Sequence, residues 1–373
     1  MIIPGTATLD HHGFRALFPA LARWAWLDSP GSPPAAGPVA DALMTTLRDW
    51  STGDFDWKEW DAAPEVSRTH FAQLVRVPDD AVSLLGSVAE GVATVADSLP
   101  SGSVVVADQE YRSVLFPLAA LDQNTHPLIR VTAEKGIVQA DDLAAAIRPD
   151  TTLVAVSDTL TSNGNRVDLH ALRRSTRDAG VRLLVDLTQS LGVLNHDVAT
   201  LAADFTLVHG YKWLLSPRGA AWMVTQSDRI GELRPLLPSW KSTPRPHGYF
   251  GGPYNLPAVA GSLDTSPAWF SWLGSIAALN LLASLDRGHV EDHCVDLAQR
   301  WLAGAVDLGY APVSTGNQSH IAVVDVGNRA VETQRRLVDA GVKASINGTR
   351  LRVGVHYFNN EDDIARCLDA MKK

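Results

Sequence analysis

From about residue 80 onward, short apolar runs alternate with longer amphipathic or alanine-rich stretches. Val82-Ser83-Leu84-Leu85, Val104-Val105-Val106, Leu128-Ile129-Arg130-Val131, Leu153-Val154-Ala155-Val156, Leu183-Leu184-Val185 and Phe205-Thr206-Leu207-Val208 have strand length and strand composition. Between several of them, residues 141–147 and 169–178 read as helices. Such alternation leaves few ways to cover both faces of the strands. It predicts an α/β fold with a doubly wound, mostly parallel sheet. The pattern breaks over residues 235–257, where Pro238, Pro244, Pro246, Pro253 and Pro257, with Gly248, Gly251 and Gly252, mark an irregular region. A long helical pattern over 268–285 then leads towards a smaller α+β domain in the C-terminal third.

In an open α/β sheet, ligands bind beyond the carboxyl ends of the strands. Lys212 lies there, in His209-Gly210-Tyr211-Lys212-Trp213, just past the apolar run 205–208. It is one of seven lysines, and the other six lie in polar or terminal sequence surroundings. Burial disfavours an ammonium and lowers its pKa. A neutral amine in a pocket is what condensation with a carbonyl requires. Asp186 ends the preceding strand, in Asp186-Leu187-Thr188-Gln189. An amine and a carboxylate on neighbouring strand ends are the pair that pyridoxal phosphate (PLP) needs, one for its aldehyde carbon and one to keep its pyridine nitrogen protonated. Each residue also has a plain structural alternative. Asp186 could cap a helix, since Asp-x-x-Gln has capping-box spacing, and Lys212 could be a snorkelling surface lysine. Their joint placement favours the cofactor.

The segment Val185-Asp186-Leu187-Thr188-Gln189-Ser190-Leu191-Gly192 resembles the vDxxQxxG segment of class V aminotransferase-fold enzymes, fold-type I PLP proteins related to cysteine desulfurases, isopenicillin-N-epimerase-like proteins and kynureninase. Ala203-Asp204-Phe205 and the stretch His209-Gly210-Tyr211-Lys212-Trp213-Leu214-Leu215-Ser216-Pro217-Arg218-Gly219 are similar to two further family segments. Near the end, Leu351-Arg352-Val353-Gly354-Val355-His356-Tyr357-Phe358-Asn359-Asn360-Glu361-Asp362-Asp363-Ile364 is similar to a fourth. The resemblance covers most of the chain in order. It implies a large PLP-binding domain over 20–267 and a small domain made of 1–19 and 268–373.

The resemblance also assigns roles around the pair. Gly86-Ser87-Val88-Ala89-Glu90-Gly91 joins a strand to a helix, and a helix N-terminus there exposes N–H groups that suit a phosphate. Ser87 as an ordinary N-cap would look the same. The family carries the PLP phosphate on this turn, which implies Ser87, Val88 and Ala89, with Ala89 standing where Thr is frequent. Tyr111 is implied to stack on the pyridine ring with its face; a half-buried tyrosine at a helix start is the alternative. Gln189 is implied to reach the cofactor's phenolic oxygen, with Thr161 or Asn163 near it. His209 and Tyr211 occupy positions that often touch the phosphate, although His209 also reads as a satisfied core histidine. Asp264-Thr265-Ser266-Pro267 resembles a family turn whose hydroxyl reaches the neighbouring subunit's phosphate, which places Ser266 in trans and implies a homodimer with shared active sites. The catalytic set is then Lys212, Asp186 and Tyr111.

Arg352 lies on an apolar strand pattern, and its two-pronged guanidinium matches a substrate carboxylate; an edge ion pair is the alternative. Trp24, Trp26, Phe250, Tyr254 and residues near Trp240 are expected around the substrate, which suggests a bulky or partly aromatic one. The formal charge of −9 and pI of about 5.7 argue against a nucleic-acid partner. No apolar run is long enough to span a bilayer. Met1-Ile2-Ile3-Pro4-Gly5 lacks a signal-peptide layout. Cys294 and Cys367 read as free buried thiols in a reducing cytosol, and no metal-spaced cluster is present.

Proton loss at Cα opens several reactions, and Lys212 is the natural acid and base for them. The family's desulfurases need a nucleophilic cysteine on a loop of the small domain, and residues 316–349 contain none. The isopenicillin-N-epimerase-like and C–S lyase branches lack that cysteine, and the chain resembles them most. Within that resemblance the expected reaction is β-elimination from a cysteine S-conjugate to a thiol, pyruvate and ammonia. Decarboxylating deamination, transamination and epimerisation are the alternatives within the family. A non-catalytic binding protein on the same fold is the alternative outside it.

Overall fold

The computed structural model describes residues 8–133, 137–313 and 318–372. Met1 to Gly5 and the opening of the 316–349 stretch therefore lie outside the described residues. A short strand near the N-terminus, β1 (Ala25–Trp26), stands apart from the main sheet. The main sheet holds β2 (Val82–Leu85), β3 (Ser103–Ala107), β4 (Leu128–Val131), β5 (Thr151–Ser157), β6 (Arg182–Asp186), β7 (Phe205–His209) and β8 (Ala221–Thr225), in the spatial order β2-β8-β7-β6-β5-β3-β4. The pairs from β7 across to β4 are parallel, and β8 runs antiparallel between β2 and β7.

Both faces of the sheet are covered. Every residue of β2, β3, β7 and β8 is buried, which is why these strands read as continuous apolar runs. On one face Val92 and Val95 of the helix Val88–Asp97 and Leu118 of the helix Arg112–Ala119 pack on Leu85, Val104, Leu153 and Phe205. On the other, Leu172 of the helix Leu169–Asp178 joins Val105, Val154, Leu183 and Val208. The α/β, mostly parallel fold expected from the sequence is thus present, with all six strands read there. The seventh, β8, follows β7 without a helix between them, so strand–helix alternation could not signal it.

The smaller domain contains β9 (Ala311–Pro312), β10 (Ile321–Asp325), β11 (Val342–Lys343), β12 (Ser345–Asn347) and β13 (Arg350–Gly354). Four of these form an antiparallel sheet in the order β12-β13-β10-β9. The fifth, β11, pairs in parallel with β1, and Asp28 bridges to Gly354. The segment 25–28 therefore lies on the small-domain side. The helix Trp269–Ala283 packs on two helices of the large-domain side, Gly37–Thr52 and Trp57–Val75.

The 235–257 region is irregular as expected, with a short 3₁₀ turn at Trp240–Ser242. One residue in it departs from its sequence surroundings. Lys241 is buried, 2.9 Å from Asp61, which also accepts from Trp269 Nε1. A buried ammonium needs such a partner, and the partner lies on a helix 180 residues earlier, beyond the reach of local reading. Cys294 and Cys367 are free and buried. Among the described residues, no helix is long and apolar enough to cross a membrane.

Candidate active site

The carboxyl ends of β6 and β7 place Asp186 and His209 on neighbouring strands, with Asp186 in register with Leu207. Lys212 follows three residues after the end of β7, and both Lys212 and Asp186 are buried at 4% exposure. Asp186 does not cap a helix: its Oδ1 accepts the N–H of Thr188 at 2.8 Å, within a tight turn. Burial pushes its carboxyl above the ordinary range, against the two hydrogen bonds from Thr188 and the nearby Lys212 charge. Lys212 is not a surface lysine either. Burial pulls its amine down to about 8, with Asp186 opposing and Arg352 and Arg218 adding repulsion. Its Nζ sits 5.1 Å from the ring centre of Tyr111 and 5.5 Å from that of Tyr211.

A cavity of about 770 Å³ opens over this lysine, between the large sheet and the small domain. Tyr111, Thr161, Tyr211 and Lys212 line it from one side and Arg352 from the other. Tyr111 precedes the helix Arg112–Ala119, and Glu110 fixes it: Glu110 Oε1 accepts Tyr111 N–H at 2.7 Å and the Ser157 hydroxyl, and Oε2 accepts Ser157 N–H. Burial pushes the Glu110 carboxyl up to about 7 against these bonds. Gln189 donates from Nε2 to Thr161 Oγ1 at 2.9 Å and to the Pro30 carbonyl, while its Oε1 accepts Trp213 Nε1. Thr161 faces the cavity, whereas Asn163 is buried and accepts Asn165 N–H. Arg352 donates to Thr161 Oγ1 at 2.5 Å and to Ser345 Oγ, and pairs with Asp28 at 3.2 Å. It is thus ion-paired and cavity-lining at once.

Residues 86 and 87 join β2 to the helix Val88–Asp97, the strand-to-helix turn read from the sequence. Ser87 caps the helix Val88–Asp97 by accepting Glu90 N–H, so its hydroxyl is engaged in the local cap. The N–H groups of Val88 and Ala89 stand in the first turn, where helix geometry gives them no partner within the helix. His209 is buried against the edge of Tyr211, and its Nε2 has no hydrogen-bond partner among the described residues. Burial, then Arg218 and Lys212, hold its imidazole down at about 4.

Several expected residues lie elsewhere in the single chain. Ser266 is exposed and does not line the cavity. Tyr254 and Phe250 are 74% and 95% exposed on the irregular loop. Trp26 donates to the Ser32 carbonyl, and Trp24 lies beneath Arg23 and Lys343. Trp240 is half-buried and is also absent from the lining. Sequence reasoning missed Pro30, Gly31, Asp28, Glu110 and Arg350. The last sits two residues before Arg352, on the same strand face, and that spacing was the available signal.

These residues fit PLP. Asp186 is a buried carboxyl whose hydrogen bonds come from one residue, and a protonated pyridine nitrogen would supply it with a counter-charge. His209 Nε2 is an orphaned polar atom, and Lys212 is an amine brought near neutrality. The depressed amine has a direct consequence. Only the neutral form adds to an aldehyde, so uptake of PLP by the apoprotein is expected to accelerate with pH through about 8 and level off above it. Absorbance-monitored uptake rates check this; a midpoint near 10 would show an ordinary, solvated lysine.

Residues 25–364 match the Aminotransferase class-V family. An uncharacterized aminotransferase of Bacillus subtilis, YcbU, is 27% identical over 95% of this chain and 96% of its own. Isopenicillin N epimerase of Amycolatopsis lactamdurans is 25% identical over 91% of this chain and 92% of its own. Two solved structures share the fold. The cysteine desulfurase CsdA of Escherichia coli has a TM-score of 0.85 at 21% identity, covering 97% of both chains. The cystine C–S lyase C-DES, in complex with cysteine persulfide, has a TM-score of 0.84 at 20% identity over 94% of this chain and 98% of its own. With the lysine, the carboxylate and the four segments in place on this fold, the chain belongs to the aminotransferase class-V family of PLP-dependent enzymes.

Proposed function

We propose that this PLP-dependent enzyme cleaves the Cβ–S bond of a cysteine S-conjugate, so that conjugate and water give a thiol, pyruvate and ammonia. The observation that supports the reading is that Lys212 and Arg352 face one cavity from opposite sides, with the buried Asp186 carboxyl acting on Lys212 from behind it. PLP, when bound, stabilises negative charge at Cα. The chain's own groups do the rest. Arg352 holds the substrate carboxylate with paired donors, so that the Cα–H bond faces Lys212 and the carboxylate stays in place. Lys212, as the neutral amine, takes the Cα proton. Asp186 keeps a proton on the pyridine nitrogen, and Tyr111 covers the ring face. Val88 and Ala89 N–H, with His209, hold the phosphate, and Gln189 with Thr161 orients the phenolic side. Residues 316–349 offer no cysteine to carry a persulfide, which favours release of the thiol over sulfur transfer to the enzyme. The cystine C–S lyase of the same fold supports that choice.

Epimerisation or transamination at the same Cα is the second reading, favoured by similarity to isopenicillin N epimerase and to YcbU. Incubation with a panel of S-substituted cysteines separates the two. Equal amounts of pyruvate and thiol without carbon dioxide are expected. Solvent deuterium entering Cα with no pyruvate formed would replace the first reading by the second.

The same reading includes a two-fold dimer in which Ser266, and loop residues around Tyr254, complete the partner's pocket. Inactive Lys212→Ala subunits mixed with inactive Ser266→Asp subunits are expected to recover activity, because one hybrid site then receives an intact residue from each chain. Mixed dimers with no recovery would remove Ser266 from the shared site.

A further inference from the structure

We propose that the cavity contains a second anion site, built on Arg350, and that the substrate side chain ends in a carboxylate or a similar oxyanion. This rests on the reading of Arg352 as the clamp for the α-carboxylate. Arg350 and Arg352 alternate with buried Leu351 and Val353 on β13, so both side chains leave the same face of the strand. Two residues of strand separate their Cα atoms by about 7 Å. The neighbouring strand repeats the polarity in register: Ser345 lies opposite Arg352, and Asn347 opposite Arg350. All four line the cavity.

The charges around the cavity are unbalanced. Its cationic lining groups are Arg112, Lys212, Arg350 and Arg352, and its only lining carboxylate among the described residues is Glu110. Glu110 is buried, with its oxygens engaged by Tyr111 and Ser157. Asp28 answers Arg352. Among the described residues, neither Arg350 nor Arg112 forms an ion pair, and both are exposed; Asp325 stands opposite Arg350 on β10, where its Oδ1 accepts Gly327 N–H. A concave site lined by one sign of charge concentrates ligands of the other. One carboxylate on Arg352 leaves Arg350, with Asn347 beside it, to receive a second. A cysteine conjugate whose thioether arm carries a terminal acid has both groups.

Binding to the holoenzyme, read as titration heat rather than turnover, tests this. Propionate represents one carboxylate; succinate, glutarate and adipate represent two at increasing spacing. The best dicarboxylate is expected to bind at least about tenfold more tightly than propionate, the scale of one added hydrogen-bonded charge. Arg350→Gln is expected to erase that advantage and leave propionate unchanged, while Arg352→Gln weakens both. A wild-type enzyme without the preference, or an Arg350→Gln enzyme that keeps it, overturns the second site. Borohydride fixation of PLP to Lys212 in the same sample reads the cofactor assignment separately, so failure of that assignment is distinguishable from failure at Arg350.

Discussion

Replacing Lys212 by alanine is expected to lower turnover by at least about 10²–10⁴-fold, the usual contribution of one positioned acid–base group, and to abolish covalent retention of PLP. In the wild-type enzyme, borohydride is expected to fix the cofactor to the chain, and peptide mass mapping to place it at Lys212. The fold is not expected to suffer, because burial already works against the charge of this lysine. The informative competitor is Lys241. It is equally buried, yet it is saturated by Asp61 and opens onto a different cavity, beside Arg68 and Asp264. Label on Lys241, or label persisting in Lys212→Ala, would defeat the assignment.

Asp186→Asn is expected to retain PLP and to lose about 10²–10³-fold in kcat, equivalent to about 2.7–4 kcal/mol, the scale for removing one preorganised electrostatic contact. The amide has the carboxylate's shape and can still accept from Thr188, so the difference isolates the charge. A second signature separates this from a packing defect. Asp186 is the largest influence holding the Lys212 ammonium in place. Its neutralisation lowers that amine further, so the pH midpoint for cofactor uptake moves below about 8. Turnover near the wild-type level would mean that another acid protonates the ring.

The central pair was legible in the sequence because chain order and space coincide there. Asp186 and Lys212 end or follow consecutive parallel strands, and a strand's carboxyl end can be read from its apolar run. Asp28, Pro30 and Gly31 were not legible. Pro30 and Gly31 line the cavity, and Asp28 reaches Arg352, only because β1 pairs with β11 and Asp28 bridges to Gly354, contacts across more than 300 residues. The bulk of tryptophans 24 and 26 suggested a lining role, but Arg23 and the distant Lys343 cover Trp24, and the Ser32 carbonyl engages Trp26. Arg350 had a signal in its two-residue spacing from Arg352, but that spacing alone does not separate a cavity mouth from a bare sheet edge. Lys241 shows the reverse case, a lysine in a polar stretch drawn inward by a distant aspartate.

The hydroxyl oxygen of Thr161 receives hydrogen bonds from both Gln189 and Arg352. The side chain proposed to orient the cofactor and the side chain proposed to hold the substrate therefore lean on a single atom. A carboxylate that draws Arg352 towards itself leaves Gln189 as the remaining donor to that oxygen. Filling the cofactor position likewise changes how freely Arg352 swings. If the proposed roles hold, the two occupancies are coupled and the coupling is reciprocal: whatever factor PLP contributes to carboxylate affinity, the carboxylate returns to PLP affinity. Thr161→Val, which keeps the shape and removes the shared acceptor, reduces that factor towards one even where each ligand alone still binds.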